Sequence, residues 1–159
     1  MNAHLNECSR LEEAATYTAE THHILANRQQ LWYKILQLVP AVASAVVVTL
    51  VVGKVVPSWV GIPALIAAIV TAIGTVMNPQ QSYFEHLSAA KAFTVIKNDA
   101  RAICELAAAV PAAETAADTK SLHERYNDLV RVTPPTEDWA FDKARKRIHS
   151  GVHKPDEKK

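Results

Sequence analysis

The sequence predicts an all-α membrane protein, in which a two-span transmembrane helical hairpin is extended by an antiparallel cytosolic helical stalk and by short C-terminal helices. The distribution of charge is the first reason for this prediction. Residues 35–84 contain a single charged side chain, that of Lys54, and all other Lys, Arg, Asp and Glu residues lie in the two flanks. The second reason is that both flanks place apolar residues three and four positions apart, which is the spacing of an amphipathic helix.

The composition limits the classes of function. The chain has 159 residues, and its 17 Lys and Arg residues nearly balance its 16 Asp and Glu residues. Nucleic-acid binding depends on an excess of basic charge, so a net charge of +1 argues against a nucleic-acid partner. The two cysteines, Cys8 and Cys104, are too few for a disulfide framework, and we expect them to be reduced, packed thiols. The sequence contains no nucleophile–base motif, Gly-rich phosphate loop or zinc-ligand spacing, so we expect no enzyme activity, no cofactor and no metal site.

Two uncharged apolar stretches, 35–53 and 59–77, predict the membrane spans. Each has 19 residues, close to the roughly 20 that a helix needs to cross the hydrocarbon layer. Gly53 and Pro57 interrupt the helix between them. The alternative is a core hairpin buried in a soluble protein, which the charged remaining helices are poorly suited to surround. Because the first 34 residues are polar, we expect the first span to be an uncleaved anchor and not a signal peptide.

The spans divide the chain into four parts. These are a cytosolic amphipathic helix at 1–34, the transmembrane hairpin at 35–78, a long cytosolic helix at 79–110, and short helices with a basic, partly disordered tail at 111–159. Two spans return the chain to the side of the membrane from which it started. Basic residues near the outer ends of the spans predict that both termini are cytoplasmic. These residues are Arg28, Lys34, Lys91 and Lys97.

Small and polar residues are concentrated on one face of each span. In lipid, small residues let helix backbones approach closely, and hydroxyl groups form hydrogen bonds between helices. The small face of span two consists of Ala64, Ala67, Ala68, Thr71, Gly74, Thr75 and Asn78, and the branched residues opposite, Val70 among them, are expected to face lipid. On span one, Gln37 and Ser44 lie seven residues apart and therefore on one side. Two interpretations remain open, because these residues either pack helices together or line a polar path in an oligomer. The candidates are Gln37, Ser44, Thr71, Gly74, Thr75 and Asn78.

The flanks of the hairpin predict two amphipathic helices that leave the same membrane face and pair as the stalk. The first, over 5–33, meets no Pro or Gly before Pro40, so we expect it to continue into span one. The second begins after Pro79 and covers 80–110. Their facing positions are Leu11, Ala15, Thr18, His22, Leu25, Gln29 and Trp32 in the first helix and Phe93, Ile96, Ala100, Ile103, Ala107 and Val110 in the second.

We make separate predictions for where two pairs of stalk residues lie: the two cysteines and the two adjacent histidines. Cys8 lies 26 residues before Lys34, where span one begins, and Cys104 lies 26 residues after Asn78, where span two ends. Both thiols are therefore expected at the same height above the membrane. His22 and His23 point about 100° apart on a helix. We therefore expect one of these histidines to pack in the helix interface and the other to face solvent. His149 and His153 are four apart, but the helix is expected to end between them, which argues against a metal site.

Pro111 ends the second stalk helix, and three segments follow. We expect a polar connector at 112–119, a short helix at 121–132 and a last helix at about 137–149, with a disordered tail from 151. The apolar sides of the two helices are Leu122, Tyr126, Leu129 and Val130, and Trp139, Phe141, Ala144 and Ile148. Four bases of the last helix are candidate contacts for an anionic headgroup or ligand, and the alternative is a solvated surface. They are Lys143, Arg145, Lys146 and Arg147.

The stretch after the second span, NPQQSYFEHLSAAKAFTVIKNDAR, resembles the helix behind the hairpin in the SLATT family, with H-x-x-A-A at 86–90 and A-R at 100–101. The upstream stretch LEEAATYTAETHHILANRQQLWYKI is similar to the amphipathic helix that leads into that hairpin. The resemblance covers most of residues 7–149. SLATT proteins are membrane effectors linked to bacterial nucleotide-signalling conflict systems.

The resemblance implies an effector in the bacterial inner membrane that oligomerises on a nucleotide-linked signal. It would form a pore or disrupt the membrane, and so arrest or kill the infected cell. The implied partners are the lipid bilayer, other copies of the chain, and a cyclic nucleotide or a nucleotide-sensing protein. The alternative, from another class, is a non-conducting membrane anchor or scaffold that recruits a soluble partner through its cytosolic helices.

Overall fold

The computed structural model describes residues 3–54 and 59–151, and within them it is all-helical, as predicted. The five helices of this part of the chain are α1 Ala3–Val52, α2 Gly61–Met77, α3 Pro79–Leu106, α4 Ala112–Val132 and α5 Asp138–His149. Three predicted features lie outside the described residues: the helix break at Pro57, the disordered tail beyond Gly151, and the position of His153.

Helix α1 is 50 residues long, which confirms that the first amphipathic segment continues into the first apolar stretch. Pro40 lies inside this helix, where its missing N–H removes one backbone hydrogen bond without ending the helix. At the far end, the Gly53 N–H donates to the Thr49 carbonyl at 3.0 Å. Lys54 follows in a left-handed conformation, with a φ of 56°, and the helix stops there.

Two helices are long and apolar enough to cross a membrane. An 18-residue window in α1 has a mean hydropathy of 2.5, and a window in the segment Gly61–Leu106 has a mean hydropathy of 1.8. None of the first window and only 6 % of the second is buried inside the protein. A core helix of a soluble domain buries its apolar residues, so neither apolar helix forms such a core within this chain.

Asn78 separates α2 from α3, which confirms the boundary predicted from Pro79. Its backbone is left-handed, with φ 39° and ψ 56°, and its N–H donates to the Gly74 carbonyl at 3.1 Å. Apart from Gly, Asn is among the residues that adopt this conformation most readily. Pro79 suits the first position of α3 because that position needs no backbone N–H. Helix α3 ends at Leu106, before the predicted residue 110.

The chain folds into two compact units. The first unit, here called the bundle, comprises the residues up to Ala26 and those from Phe84 onward. The second unit, here called the apolar pair, comprises Asn27–Tyr83. The first part of α1 therefore belongs to the bundle and its second part to the apolar pair, while α4 and α5 lie entirely in the bundle.

Within the bundle, α1 and α3 are antiparallel and meet at two levels. The Cys8 thiol donates to the Ala100 carbonyl at 3.0 Å, and the Nδ1 atoms of His22 and His86 lie 3.0 Å apart. Fourteen residues separate these two contacts along each helix, and because fourteen is two heptads the same faces stay together. The buried apolar residues between the two levels include Leu11, Ala15, Ala19, Ala89, Phe93 and Ile96.

Helix α4 is longer than predicted, because the expected connector at 112–119 is helical. Ala has the highest helix propensity, and Glu114 lies in the first turn, where a negative charge favours the helix dipole. Thr115 and Thr119 are buried, and the Thr119 hydroxyl donates to the Thr115 carbonyl at 2.8 Å. The polar residues of this segment led to the prediction of a connector. Their hydroxyl groups form hydrogen bonds within the helix, so they can be buried.

The second half of α4 covers the α1–α3 contact. Leu122 joins the cluster that contains Cys8, and the Tyr126 ring meets Phe93 edge-on at 5.6 Å. Leu129 packs beside them, but Val130, which was predicted on the same side, is exposed. Positions 122, 126 and 129 keep the 4–3 spacing of one helix face, and position 130 is turned away from it.

Helix α5 packs through small residues, and its aromatic residues lie outside the packed contact. Ala140 and Ala144 are fully buried against α1. Trp139 and Phe141 remain 38 % and 44 % exposed. Alanine lets the two helix backbones approach closely, and the large rings then lie at the edges of the contact.

Phe93 is the largest fully buried side chain in the bundle. We expect Phe93→Ala to lower the free energy of unfolding of the bundle by about 3–5 kcal/mol, because it removes the ring and leaves a cavity. Urea denaturation of the detergent-solubilised protein measures this loss. Val95→Ala is the matched control, because Val95 is half exposed on the same helix and its truncation should cost about 1 kcal/mol or less. Equal losses for the two variants would contradict this core.

Candidate functional site

The apolar pair contains an open cleft of about 520 Å³ between α1 and the end of α2. Five of the six predicted span residues line it together, with Tyr33 beside them. The five are Gln37, Thr71, Gly74, Thr75 and Asn78. Ser44 is exposed on α1 and does not line this cleft. Five of the candidates therefore lie together, and Ser44 lies apart from them on α1.

A close contact between the two helices borders this cleft. The Leu36 Cβ lies 3.5 Å from the place that a Cβ on Gly74 would occupy. From this pair, half-buried residues recur at intervals of three and four along each helix, as in an antiparallel coiled coil. They are Tyr33, Leu36, Pro40, Ala43, Val47 and Leu50 on one side and Val60, Pro63, Ala67, Val70 and Gly74 on the other. This set of half-buried residues is called the seam below.

The seam uses only part of the predicted small face of span two. Ala67 and Gly74 belong to it, whereas Thr71 and Thr75 are exposed. Val70, which was predicted to face lipid, is half-buried in the seam. The reason is geometrical, because one helix contacts another along a single line of residues, narrower than the predicted face. A second line of small residues stays exposed beside the seam: Ala64, Ala68, Thr71 and Thr75.

The polar groups of the apolar pair find hydrogen-bond partners close to themselves in the chain. The Thr71 hydroxyl donates to the Ala67 carbonyl at 2.8 Å, and the Gln37 amide donates to the Tyr33 hydroxyl at 2.7 Å. The Asn78 side chain donates to Gln81 at 2.9 Å. Local hydrogen bonds of this kind let polar residues occupy an apolar medium without a partner from another helix. The residues that line the cleft carry no charge, so it offers dipoles and not fixed charges.

The four basic candidates of α5 do not act as one set. The Arg147 guanidinium lies 2.7 Å from the carboxylate of Glu20, a residue that is only 6 % exposed, so this ion pair joins α5 to α1. Arg145 and Lys146 line an open surface pocket together with His149. Lys143 is exposed. The sequence showed Arg147 as one more base in a run, because its acidic partner is far away in the chain.

A buried histidine pair lies inside the bundle, and the sequence analysis did not predict the pairing. His22 and His86 are 1 % and 9 % exposed, and the His22 ring stacks on Phe93 with 5.8 Å between ring centroids. Burial lowers the pKa of His22 to about 4, and burial also lowers the pKa of His86. Both rings are therefore neutral at pH 7. The expectation for one member is confirmed, since His22 is buried while His23 is half-buried.

A signal for this pair was present in the sequence. His22 occupies a facing position of its helix, and His86 lies one heptad before Phe93 and hence on the same face of α3. The antiparallel register of α1 and α3 was needed to place the two rings at one level.

The two thiols, which were predicted to lie at one level, are neighbours in the bundle. Both cysteines are free, and Cys104 packs against the cluster that contains Cys8. The register differs from the prediction by about one turn, because Cys8 lies opposite Ala100. Burial, and then the neighbouring Cys104 thiol, raise the pKa of Cys8 to about 12. The Cys8 thiol is therefore protonated and a poor nucleophile at neutral pH.

Comparisons of the chain with protein-family models, with curated proteins and with solved structures give no match. Within residues 3–54 and 59–151, no group of three or more His, Cys, Asp or Glu residues is placed to hold a metal ion. The cleft of the apolar pair and the buried polar contacts of the bundle are therefore the features from which a function is inferred.

Gly74 controls how closely the two apolar helices approach. We expect Gly74→Ala to be tolerated, because its Cβ would make an ordinary contact with Leu36. Gly74→Leu should separate the helices, because a longer side chain needs the space that Leu36 fills. Disulfide crosslinking between Ala43→Cys and Ala67→Cys, in membranes and with both native cysteines replaced by Ser, measures this. Ile73→Leu is the matched control on the exposed face of α2, and a loss as large as that of Gly74→Leu would contradict the seam.

The contact of Cys8 with Cys104 also makes a specific prediction. A short thiol–thiol crosslinker in isolated membranes should join these two residues, although slowly, because the Cys8 thiol is buried and protonated at neutral pH. The link should be lost in a Cys8→Ser, His22→Cys chain, because fourteen residues of helix move the first thiol by about 21 Å. Mass spectrometry of the digested protein identifies the linked peptides. If the variant crosslinks to Cys104 as efficiently as the native chain, the antiparallel register of α1 and α3 is incorrect.

Proposed function

We propose that this protein is a membrane effector of a bacterial antiphage conflict system. It would oligomerise in the inner membrane on a nucleotide-linked signal, form a pore or disrupt the bilayer, and cause growth arrest or cell death. The observation that carries the proposal is that two membrane-length helices expose their apolar side chains and place polar residues together in one cleft. The resemblance to SLATT proteins supplies the biological setting.

The exposed side chains of the apolar pair favour a membrane location. Leu65, Ile66, Ile69 and Ile73 of α2 are each about half exposed or more. Burying apolar surface in lipid is favourable by roughly 25 cal/mol per Å² of surface removed from water. The spans would form a hairpin, and the basic residues outside its two ends support cytoplasmic termini. The bundle would then be the cytosolic stalk.

The small residues beside the seam support assembly of several copies. A pore needs more than two helices to enclose it, so one apolar pair cannot form it. Ala64, Ala68, Thr71 and Thr75 remain exposed next to the seam, where another copy of the chain could approach closely. Thr71 and Thr75 also line the cleft with Gln37 and Asn78. An oligomer that closes around this surface would have a lining of uncharged hydrogen-bonding groups.

The bundle is the proposed receiver of the signal. Its exposed bases Lys143, Arg145 and Lys146 are available for an anionic headgroup or for the phosphate of a nucleotide, on this chain or at its contact with a nucleotide-sensing partner. Arg147 is already engaged with Glu20, so it would hold α5 in place and contribute less to such a contact.

Release of a trapped dye from liposomes tests the proposal. Purified full-length protein should release the dye once it is activated, with candidate cyclic nucleotides as the activators tried. Thr71→Leu should reduce release at least tenfold, because a larger apolar residue blocks close approach and removes a polar group from the cleft. Ile69→Leu is the matched control, since it changes only the shape of an exposed apolar residue, and it should release dye like the native chain.

Each result of that assay has a distinct meaning. Equal release by the native chain and Thr71→Leu would contradict a role for the cleft in the pore. No release under any condition, with the protein shown to be inserted in the bilayer, would favour the non-conducting anchor or scaffold. In that case, the cytosolic helices would serve to recruit a soluble partner.

A further inference from the structure

We propose that His22 and His86 form an acid-sensitive latch in the bundle, which holds α1 against α3 while the rings are neutral and releases it when both are protonated. The latch itself requires only the bundle. Its effect on the apolar helices rests on the proposed function.

The latch depends on the direct contact between two like side chains. The Nδ1 atoms of His22 and His86 lie 3.0 Å apart, so one atom carries a hydrogen and the other accepts it. Two neutral rings satisfy this arrangement, because a neutral imidazole has one donor and one acceptor nitrogen. Two protonated rings do not, because both Nδ1 atoms are then donors and the two positive charges repel. Adding protons therefore turns an attractive contact into a repulsive one.

The groups around the pair act differently on the pKa of His22 and on the pKa of His86. Burial, then His86 and His23, all oppose a positive charge on His22, and these lower the pKa of His22 to about 4. Burial also lowers the pKa of His86, but Glu85 of α3 and Glu137 just before α5 act in the opposite direction. These two carboxylates favour a positive charge on His86, whereas the groups that act on His22 all oppose one.

The other charged and aromatic groups of the bundle do not neutralise His22. Glu20 lies two residues before His22 on α1, and its carboxylate is paired with Arg147 of α5 at 2.7 Å. Phe93 of α3 covers one face of the His22 ring, and Tyr126 of α4 meets Phe93 from the side. The pair is thus enclosed by apolar and aromatic surface on the side of α3 and α4.

The direction of the pH effect follows from these pKa values. When the contact opens, the rings regain an ordinary pKa of about 6.5, above their values in the closed bundle. The open state therefore binds more protons than the closed state at acidic pH. The latch has its full strength above pH 6.5 and loses strength as the pH falls toward 4. For His22 alone, the ratio of open to closed bundle should rise by up to tenfold per pH unit in this window.

The two histidines lie close to the points where the bundle segments continue into the apolar pair. His22 lies four residues before Ala26, and His86 lies two residues after Phe84, so both are close to the ends of the bundle segments that continue into the apolar pair. An acid-induced separation would therefore begin in the parts of α1 and α3 that lead to the proposed spans. Acidification of the cytosolic side would then favour the active state of the effector.

Hydrogen exchange of the full-length protein in lipid nanodiscs tests the latch. The amides of 15–26 and 84–96 are followed from pH 7.5 to 5.0, with correction for the intrinsic pH dependence of exchange. We expect the opening of the native bundle to increase by about 10- to 30-fold between pH 6.5 and 5.0. A His22→Phe, His86→Leu chain should show at least fivefold less of this increase. Replacing both partners with apolar residues leaves no buried polar group unpaired.

His23→Gln is the matched control, because it removes a neighbouring histidine that is not part of the contact. It should keep the acid response of the native chain. The contacts Glu20–Arg147 and Glu7–His123 are present in every variant, so they do not distinguish the chains that are compared. An acid response that is equally large in the double variant would overturn the latch.

A second measurement covers the case in which the double variant does not fold. NMR titration of the native chain with labelled histidine should show one ring, that of His22, with a pKa of about 4 and a second ring, that of His86, with a pKa lowered by burial. Single His22→Gln and His86→Gln chains assign them. If all histidines titrate near pH 6.5, the latch is refuted. An acid response in exchange without dye release from liposomes would support the latch and count against the proposed pore.

Discussion

The antiparallel contact between α1 and α3 is the interaction on which the rest of the bundle depends. It keeps one register over two heptads, from the Cys8–Ala100 contact to the His22–His86 contact. Small residues such as Ala19 and Ala89 bring the helices together, and Phe93 fills the space that remains. Helices α4 and α5 then pack on this pair through Leu122 and through two alanines. Without the first contact, neither later helix has a surface to cover.

The apolar pair follows the same packing rule with a different set of residues. Its seam repeats at intervals of three and four residues, and Gly74 gives Leu36 the room to lie close to the opposite helix. If these helices span a membrane, as proposed, lipid provides no hydrophobic drive for them to associate, so close packing has to hold them together. The hydroxyl groups next to the seam bond within their own helix. That arrangement leaves their side of α2 ready for another helix without leaving unsatisfied polar groups.

Buried polar contacts distinguish the bundle from the apolar pair. The bundle holds an ion pair between Glu20 and Arg147 and a neutral contact between His22 and His86. Such contacts add little net stability, but they specify which helices meet and at which level. They also make the bundle responsive to its surroundings, because a change of charge alters them and leaves apolar packing unchanged. A signal received in the bundle would act most directly through these two contacts.

The sequence by itself determined the helical class, the two apolar helices, the break at Asn78 and half of the residues that line the cleft. These follow from local chemistry: charges are absent from 35–53 and 55–84, Pro79 ends one helix and starts the next, and Thr71, Gly74 and Thr75 lie on one face of a single helix. Tertiary structure decided what local chemistry leaves open. The helical state of 112–119, the exposure of Trp139 and the partners of Arg147 and His22 depend on residues distant in the chain. The spacing along one helix fixes a face, whereas the register between two helices fixes which side chains meet.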